Sequence, residues 1–300
     1  MKQLFYKLIY SPELNPIFRN LNKVLYPILP KKIKLAPSGI LNLESSKVSA
    51  KIATNQTNYL TKEIFWVGFE NFEYTSIFID LCPKINSFYD IGANIGYFTI
   101  LAGKANSSMD IVAFEPSKGP LHYLKENCKL NNLTNVEISS KALSHTTGKI
   151  TFYEIQNQKY TYLTHNLAGE SNTGSKTTGR NYVPTEVETE KLDDFFINRK
   201  VDKKIDLIKI DTEGTEKMIL ENAVEILTHH QPIIICETLF GMIEDELDDL
   251  LSQYGYEFYN HIEAGLQHVK TIKRTEDNGV NNCFFVHPSK KHLIEKYIVN

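Results

Sequence analysis

A mostly parallel α/β sheet with helices on both faces is the fold this chain predicts, and three patterns point to it. From residue 85 onward, short apolar runs alternate with longer stretches of helical period, the layout of βαβ units joined by right-handed crossovers. "PIIICET" is a continuous apolar run, as in strands buried on both faces. The late strands "YEFYNHI" and "NCFFVHP" are joined by an irregular segment. That connection predicts an antiparallel addition at one edge.

The elements follow in order. Residues 1–60 form a separate basic and aromatic arm, in which Pro12, Pro16, Pro27 and Pro30 break any long helix. The arm is expected to fold over the body, residues 61–300, with peripheral contact to an anionic membrane surface as the competing reading. "INSFYDI" reads as a strand and "GYFTILAGKA" as the helix after it. "DIVAFEP" and "SKGPLHYLKENCKLNN" repeat that pairing, with Ser117 opening the helix, and "VEISSKAL" is the third strand. "KITFYEI" is a further β segment. "KIDLIKID" precedes the helix "TEKMILENAVEILTHH", whose Met218, Ile219, Ala223, Val224 and Leu227 suit one face. "DELDDLLSQYG" closes as a helix at Gly255. One interval breaks the rhythm: Gln156 to Glu186, within a polar insertion at about 156–190, is rich in Gly, Ser, Thr and Asn. A loop of that length serves as a lid or stays mobile, and its Tyr160, Tyr162 and His165 are candidates to line a substrate site.

Composition narrows the function. The chain has 300 residues, is 42% hydrophobic and carries a net charge of −3. Seven basic residues against Glu13 give Met1 to Lys34 a charge of +6, leaving −9 for the rest. An acidic body is a poor match for nucleic acid, whose binding rests on Lys and Arg neutralising phosphates. Cys82, Cys128, Cys236 and Cys283 form no C-x-x-C pair, so neither zinc nor a disulfide framework is expected. No apolar run reaches membrane-spanning length and no signal-peptide core is visible, so a cytoplasmic protein is expected, with membrane association through the arm as an option.

Ligands of open α/β sheets bind beyond the carboxyl ends of the strands. The first strand delivers Asp90, Gly92, Asn94 and Gly96, and the second delivers Glu115 and Pro116. Glu115 lies 19 residues past Gly96, where a carboxylate accepts hydrogen bonds from ribose hydroxyls. The glycines open the turn and keep side chains away from a bound cofactor. Their spacing is G-x-x-x-G, and Asp90 before them would repel a pyrophosphate but suits a cationic ligand. S-adenosyl-L-methionine is therefore preferred to NAD.

In this order and spacing, "FYDIGANIGYFTI", "IVAFEPS", "LDDFF" and "DLIKIDTEGTEKMILENA" resemble the FkbM family of S-adenosylmethionine-dependent methyltransferases. The resemblance spans roughly residues 60 to 290, and its most specific part is K-I-D-x-E-G-x-E, Lys209 to Glu216. It implies a seven-stranded Rossmann-like methyltransferase sheet whose last strand is antiparallel. It also implies methylation of hydroxyl groups on sugars, glycolipids or polyketide-type products. The absence of an N-P-P-Y-type string favours oxygen over nitrogen as acceptor.

A hydroxyl acceptor must lose a proton, which calls for a base or a metal. Asp211 and Glu213, with Glu237 beside them, are the catalytic candidates; their competing reading is acids favoured at a helix start. The same three carboxylates offer oxygen ligands to magnesium or manganese, an option that is not the favoured one. Among nine histidines, His261 is the best placed for a base, while His229 and His230 fall at the opposite edge. The stretch around Trp66, with Glu63, Glu70 and Glu73, reads as core packing and stays outside the catalytic set. Two other readings compete: an NAD-dependent dehydrogenase, and a non-catalytic protein that binds the cofactor.

Overall fold

The computed structural model describes residues 2–156, 159–167, 181–201, 203–212 and 214–299. The arm holds helices α1 (Lys2–Ile9) and α2 (Asn15–Leu25) and a hairpin of β1 (Gly39–Glu44) with β2 (Ser49–Thr54). Pro16 sits in the first turn of α2, where a missing N–H costs nothing. Helices α3 (Tyr59–Val67) and α4 (Thr75–Leu81) lead into the alternating body. There β3 (Ser87–Ile91), α5 (Tyr97–Ala105), β4 (Asp110–Phe114), α6 (Lys118–Leu130) and β5 (Val136–Ser139) follow in turn. A short β6 (Ala142–Leu143) is followed by β7 (Gly148–Gln156), β8 (Asn181–Glu190) and α7 (Leu192–Arg199). The chain continues with β9 (Leu207–Ile210), α8 (Glu216–Leu220), β10 (Ile233–Glu237) and α9 (Glu244–Ser252). It closes with β11 (Glu257–Ile262), β12 (Gly265–Val269), β13 (Asn282–Val286) and β14 (Ile298–Val299).

The main sheet is mixed, with strand order β14-β12-β11-β13-β10-β9-β3-β4-β5. It has nine strands where seven were expected, because β12 and β14 extend the edge beyond β11. Strand β13 runs antiparallel to both β10 and β11. From β3 the chain winds outward through β4 and β5, and from β9 it winds the other way through β10. The reversal point, where ligands of such sheets sit, therefore lies between β3 and β9.

Alternation of side chains across the sheet sorts its residues into two cores. Phe88, Ile111, Leu207, Ile233 and Ile235 face one cluster, shared with α4 and α5. Tyr89, Val112, Ile208, Ile234 and Cys236 face the other, shared with α7, α8 and α9. Burial on both faces explains why these strands read as unbroken apolar runs.

Several elements differ from the sequence expectation. "VEISSKAL" splits into β5 and β6, which join different sheets. The second part of the polar insertion is a ten-residue strand, β8, paired antiparallel along the whole of β7. Pro184 is tolerated because β6 reaches only Thr189 and Glu190, so the strand is an edge where the proline stands. The helix expected over "TEKMILENAVEILTHH" ends at Leu220, and a π turn follows at Ile226–His230. Its buried face persists in Ile219, Ala223 and Leu227, whereas Val224 is exposed.

Candidate functional site

Beyond the carboxyl ends of β3, β4, β9 and β10 lies a cavity of about 910 Å³, walled by the turn at 91–95, Glu115–Pro120, Asp211, Thr212 and Glu237. The hairpin β7–β8 and the segment 163–167 close its other side. Glu115 and Pro116 stand in the wall, with Gly92 and Asn94 beside them.

Gly92 and Gly96 both have left-handed backbones, φ +74° and +86°. Their lack of a side chain serves the fold itself. A Cβ on Gly92 would lie 1.9 Å from the Asp211 carbonyl oxygen, and one on Gly96 would lie 2.5 Å from Leu124 Cδ1. The glycines therefore admit neighbouring parts of the protein, rather than holding side chains away from a cofactor as the sequence reading had it. Asn94, also left-handed, donates its amide to Glu115 Oε2 at 2.8 Å, and the Ser117 amide donates to Oε1 at 2.8 Å. Burial pushes the Glu115 carboxyl up to about 7 against those two amides.

Asp90 is turned inward and is not part of the cavity wall. The amide and hydroxyl of Thr99 donate to its Oδ2 at 3.1 and 2.6 Å, which ties the strand to the start of α5. Sheet register sets Asp90 beside Lys209 on β9, and the period of two puts both on the α5 face. Lys209 Nζ donates to the Gly92 carbonyl at 3.0 Å and lies 3.2 Å from Asp211 Oδ2 and 3.9 Å from Asp90 Oδ1. Although burial disfavours a charged lysine, Asp211 and Asp90 outweigh it and hold Lys209 above its ordinary value.

Asp211 follows two residues after Lys209 on the same side and is half-exposed to the cavity. Its loop is organised by Glu216, a buried carboxylate. Glu216 accepts from the Thr212 amide at 2.7 Å, the Thr212 hydroxyl at 3.1 Å and the Gly214 amide at 3.0 Å. Glu213, the other leading candidate, lies outside the described residues. Glu237 ends β10 in the cavity wall. Among the described residues no group of three or more His, Cys, Asp or Glu is placed to hold a metal ion.

The sequence reading passed over Glu73, which lines the same cavity. It sits in the turn before α4 with φ +43°, a conformation uncommon for a residue with a side chain. Desolvation by the cavity wall and the nearby Asp211 push its carboxyl up to about 7, while Lys209 and a hydrogen bond with Asn282 pull it down. The side chain remains open to the cavity's solvent. An acid in a stretch of aromatic residues gave no periodic signal. The signal for Lys209 was present, a lone cation in the apolar strand "LIKI".

His261 is not in the cavity wall. It packs edge-on against Tyr74 at 6.1 Å, and burial lowers its pKa. His165 does line the cavity and stacks on His122 with ring centroids 4.2 Å apart. Tyr160 and Tyr162 lie behind it: Tyr160 packs against Tyr6 and Tyr10, and the Tyr162 hydroxyl accepts from Gln56 Nε2 at 2.8 Å.

The residues suit S-adenosylmethionine by their chemistry. The cavity wall carries the acids Glu73, Glu115, Glu154, Asp211 and Glu237 against the lysines Lys118, Lys141 and Lys209, an excess of acidic groups that favours a sulfonium and an ammonium group. Each Glu115 oxygen keeps a lone pair for a ribose hydroxyl beyond the amide it already accepts.

Residues 90–258 match the family model of the methyltransferase FkbM domain. "Methyltransferase 1" of Beauveria bassiana is 27% identical over 167 residues, covering 50% of this chain and 65% of that protein. The chain thus spans less than two thirds of that relative. "Methyltransferase sdnD" of Sordaria araneosa is 28% identical over 220 residues, covering 62% of this chain and 82% of its own. Among solved structures, the methyltransferase FkbM from Methylobacillus flagellatus has a TM-score of 0.43 at 15% identity, covering 67% of this chain and 43% of its own. M. jannaschii TYW2 in complex with AdoMet has a TM-score of 0.39 at 16% identity, covering 84% of this chain and 88% of that one.

Proposed function

The chain belongs to the FkbM methyltransferase family, and on that premise we propose that it methylates a hydroxyl group of a glycan, glycolipid or related natural product, with S-adenosylmethionine as donor. One observation carries the reading: Asp211, Glu237 and Glu73 converge on the cavity whose other rim holds Glu115. Bound S-adenosylmethionine would supply an electrophilic sulfonium methyl. Glu115 would hold the ribose, and the surplus carboxylates would favour the positive charge of the donor. The acceptor would enter between Asp211 and the wall formed by Phe152, Tyr153 and the 163–167 segment.

In the transfer, an acceptor oxygen forms a bond to the methyl carbon as the sulfur–carbon bond breaks, and the oxygen's proton passes to a carboxylate. That task falls to Asp211, which Lys209 holds in place at 3.2 Å. A second assignment, to Glu73, is favoured by its raised pKa, since a base works best with a pKa near the operating pH. Excluding water and aligning donor and acceptor supply the rest of the rate.

Isothermal titration with S-adenosylmethionine and with NAD tests the cofactor: binding of the first alone is expected. Binding of NAD alone would support the dehydrogenase reading, and binding of neither would defeat both enzyme readings. Incubation with nucleotide sugars, polysaccharide fragments and glycolipids, scored by a mass gain of one methyl, tests the acceptor class. Asp211→Asn is expected to keep cofactor affinity and lose about 10²–10⁴-fold in turnover, the range of a general base. Unchanged turnover in Asp211→Asn would move the role to Glu73 or Glu213. Activity after chelation and re-addition of magnesium or manganese tests a metal.

A further inference from the structure

Helix α2 is built inside out. The side chains it turns toward the body are polar: Asn15 and Arg19 are buried. Arg19 donates to the carbonyls of Ser38 and Ile40 at 3.0 and 2.8 Å, and Asn15 accepts from the Ser38 amide at 2.7 Å. Phe18 and Leu25 are half-buried, but one row of apolar side chains points outward: Ile17, Leu21, Val24 and, one turn on, Ile28 are 62%, 54%, 75% and 78% exposed. Spaced i, i+4, i+7 and i+11, they make one continuous stripe. Helix α1 adds Leu4, Phe5 and Leu8, all exposed. Scattered apolar residues on a surface are ordinary, but a contiguous stripe marks a contact surface.

Charge identifies what it meets. Lys2, Lys7, Lys23, Lys31 and Lys32 are exposed on these helices and the turn after them. Among the described residues none of these lysines forms an ion pair with a carboxylate, whereas lysines on the body do so repeatedly. Glu13 is the single acid among the first 34 residues of a chain that is acidic elsewhere. Lys23 donates to the Phe65 carbonyl and Lys32 to the carbonyls of Tyr26 and Pro27, so their charges are met by dipoles and not by a carboxylate. Aliphatic and aromatic knobs ringed by lysines without a carboxylate partner are the chemistry of an interfacial helix on an anionic bilayer.

We propose that α1 and α2 dock this protein onto an anionic lipid surface, inserting the stripe of Ile17, Leu21, Val24 and Ile28 below the headgroups. No helix among the described residues is long and apolar enough to cross a membrane, so this contact is peripheral. The docking surface reaches the cavity. Gln3 Nε2 donates to the Lys159 carbonyl at 3.0 Å, and Tyr6 and Tyr10 pack edge-on against Tyr160 at 5.2 and 5.6 Å. The segment they hold continues into Leu163–Leu167, which walls the cavity. A bilayer held by α1 therefore lies beside the acceptor side of the site.

Co-sedimentation of the full chain with phosphatidylcholine vesicles, with and without about 30 mol% phosphatidylserine, tests this. Binding is expected with phosphatidylserine, weak binding without it, and loss as salt is raised. The triple variant Ile17→Ser/Leu21→Ser/Val24→Ser should lose at least ~10-fold in vesicle affinity. Its circular dichroism and S-adenosylmethionine affinity should stay as in the wild type, because those side chains touch neither core nor cavity. Lys31→Glu/Lys32→Glu should lower binding to the anionic vesicles by roughly fivefold or more per residue. No binding to either vesicle, or wild-type binding by a folded triple variant, would overturn the proposal. A wild-type dimer that the triple variant dissolves, without vesicle binding, would assign the stripe to a second copy of the chain and overturn it too. The assay needs neither donor nor acceptor, so its failure leaves the methyltransferase reading untouched.

Discussion

Replacing Lys209 with methionine keeps the length and apolar stem of the side chain and removes its charge. Three contacts go with it: the hydrogen bond to the Gly92 carbonyl at 3.0 Å, and the ion pairs to Asp211 at 3.2 Å and Asp90 at 3.9 Å. The pair to Asp211 counts for little, since that carboxylate is 42% exposed and such pairs contribute about 0–1 kcal/mol. Asp90 decides the outcome: it is 1% exposed and would be left as a buried carboxylate without a counter-charge. Breaking a buried pair in this way costs about 3–5 kcal/mol. With an unfolding entropy of roughly 2.1 cal/mol/K per residue, this lowers the melting temperature by roughly 5–8 °C.

The pH dependence has a definite sign. Burial already raises the Asp90 pKa above its ordinary value in the wild type, against Lys209 and the Thr99 hydrogen bonds, and removing Lys209 raises it further. The stability the variant retains is therefore full below the unfolded pKa, near about 4, and is lost as pH rises toward the folded one. The gap to wild type should widen from pH ~4 to pH ~7. Asp90→Asn in the Lys209→Met background should recover most of the loss, while the Thr99 hydroxyl keeps a partner. Thermal and urea denaturation at both pH values measure this. A Lys209→Met protein as stable as wild type at neutral pH, or one that Asp90→Asn does not rescue, refutes the assignment of Lys209 as the counter-charge of Asp90.

Glu216→Ala strips the acceptor from two backbone amides and a hydroxyl; a loss of about 2–4 kcal/mol is expected in denaturation, from hydrogen bonds to a charged group. Because the loop it orders carries Asp211, turnover should fall more than donor affinity, and Glu216→Gln should recover part of both. The carboxyl of Glu115, raised from 4.5 to about 7 by burial, contributes stability that is full below pH 4.5 and lost as pH climbs to about 7. Glu115→Gln should flatten that window, which urea midpoints across the range would reveal. Glu73→Gln should abolish an acidic limb near pH 7 in kcat/KM, where the rate falls as Glu73 is protonated, if Glu73 takes the acceptor's proton; a profile that the substitution leaves unchanged would refute that assignment.

What could be read in advance followed the strength of the apolar pattern. Strands β3, β4, β9 and β10 are buried on both faces, and their runs stand out from any neighbouring stretch. Strands β12 and β8 do not: "GLQHV" and "NYVPTEVETE" are largely polar and form strands because a partner strand lies alongside them. The interruption between Leu220 and Ile226 has no proline or glycine to mark it. In the site, Asp211, Glu115 and Glu237 were legible because each stands at a strand end. The inward turn of Asp90 was hidden, because it depends on Thr99 and Lys209, which adjacency in sequence does not connect. Glu73 reaches the cavity by a left-handed turn, a feature no periodicity announces.

The carbonyl of Asp211 occupies the space a side chain on Gly92 would take, and this contact limits how the pocket can change. Strand tips that share one atom's worth of room move as a single piece. A substitution that displaces the turn at 91–95 drags the acceptor side with it, so donor grip and proton removal are inherited together. New acceptors are therefore reached by altering the far wall, through Phe152, Tyr153, Val183 and the 163–167 segment. Selection for a changed substrate should collect its substitutions there and leave the two strand tips as they are.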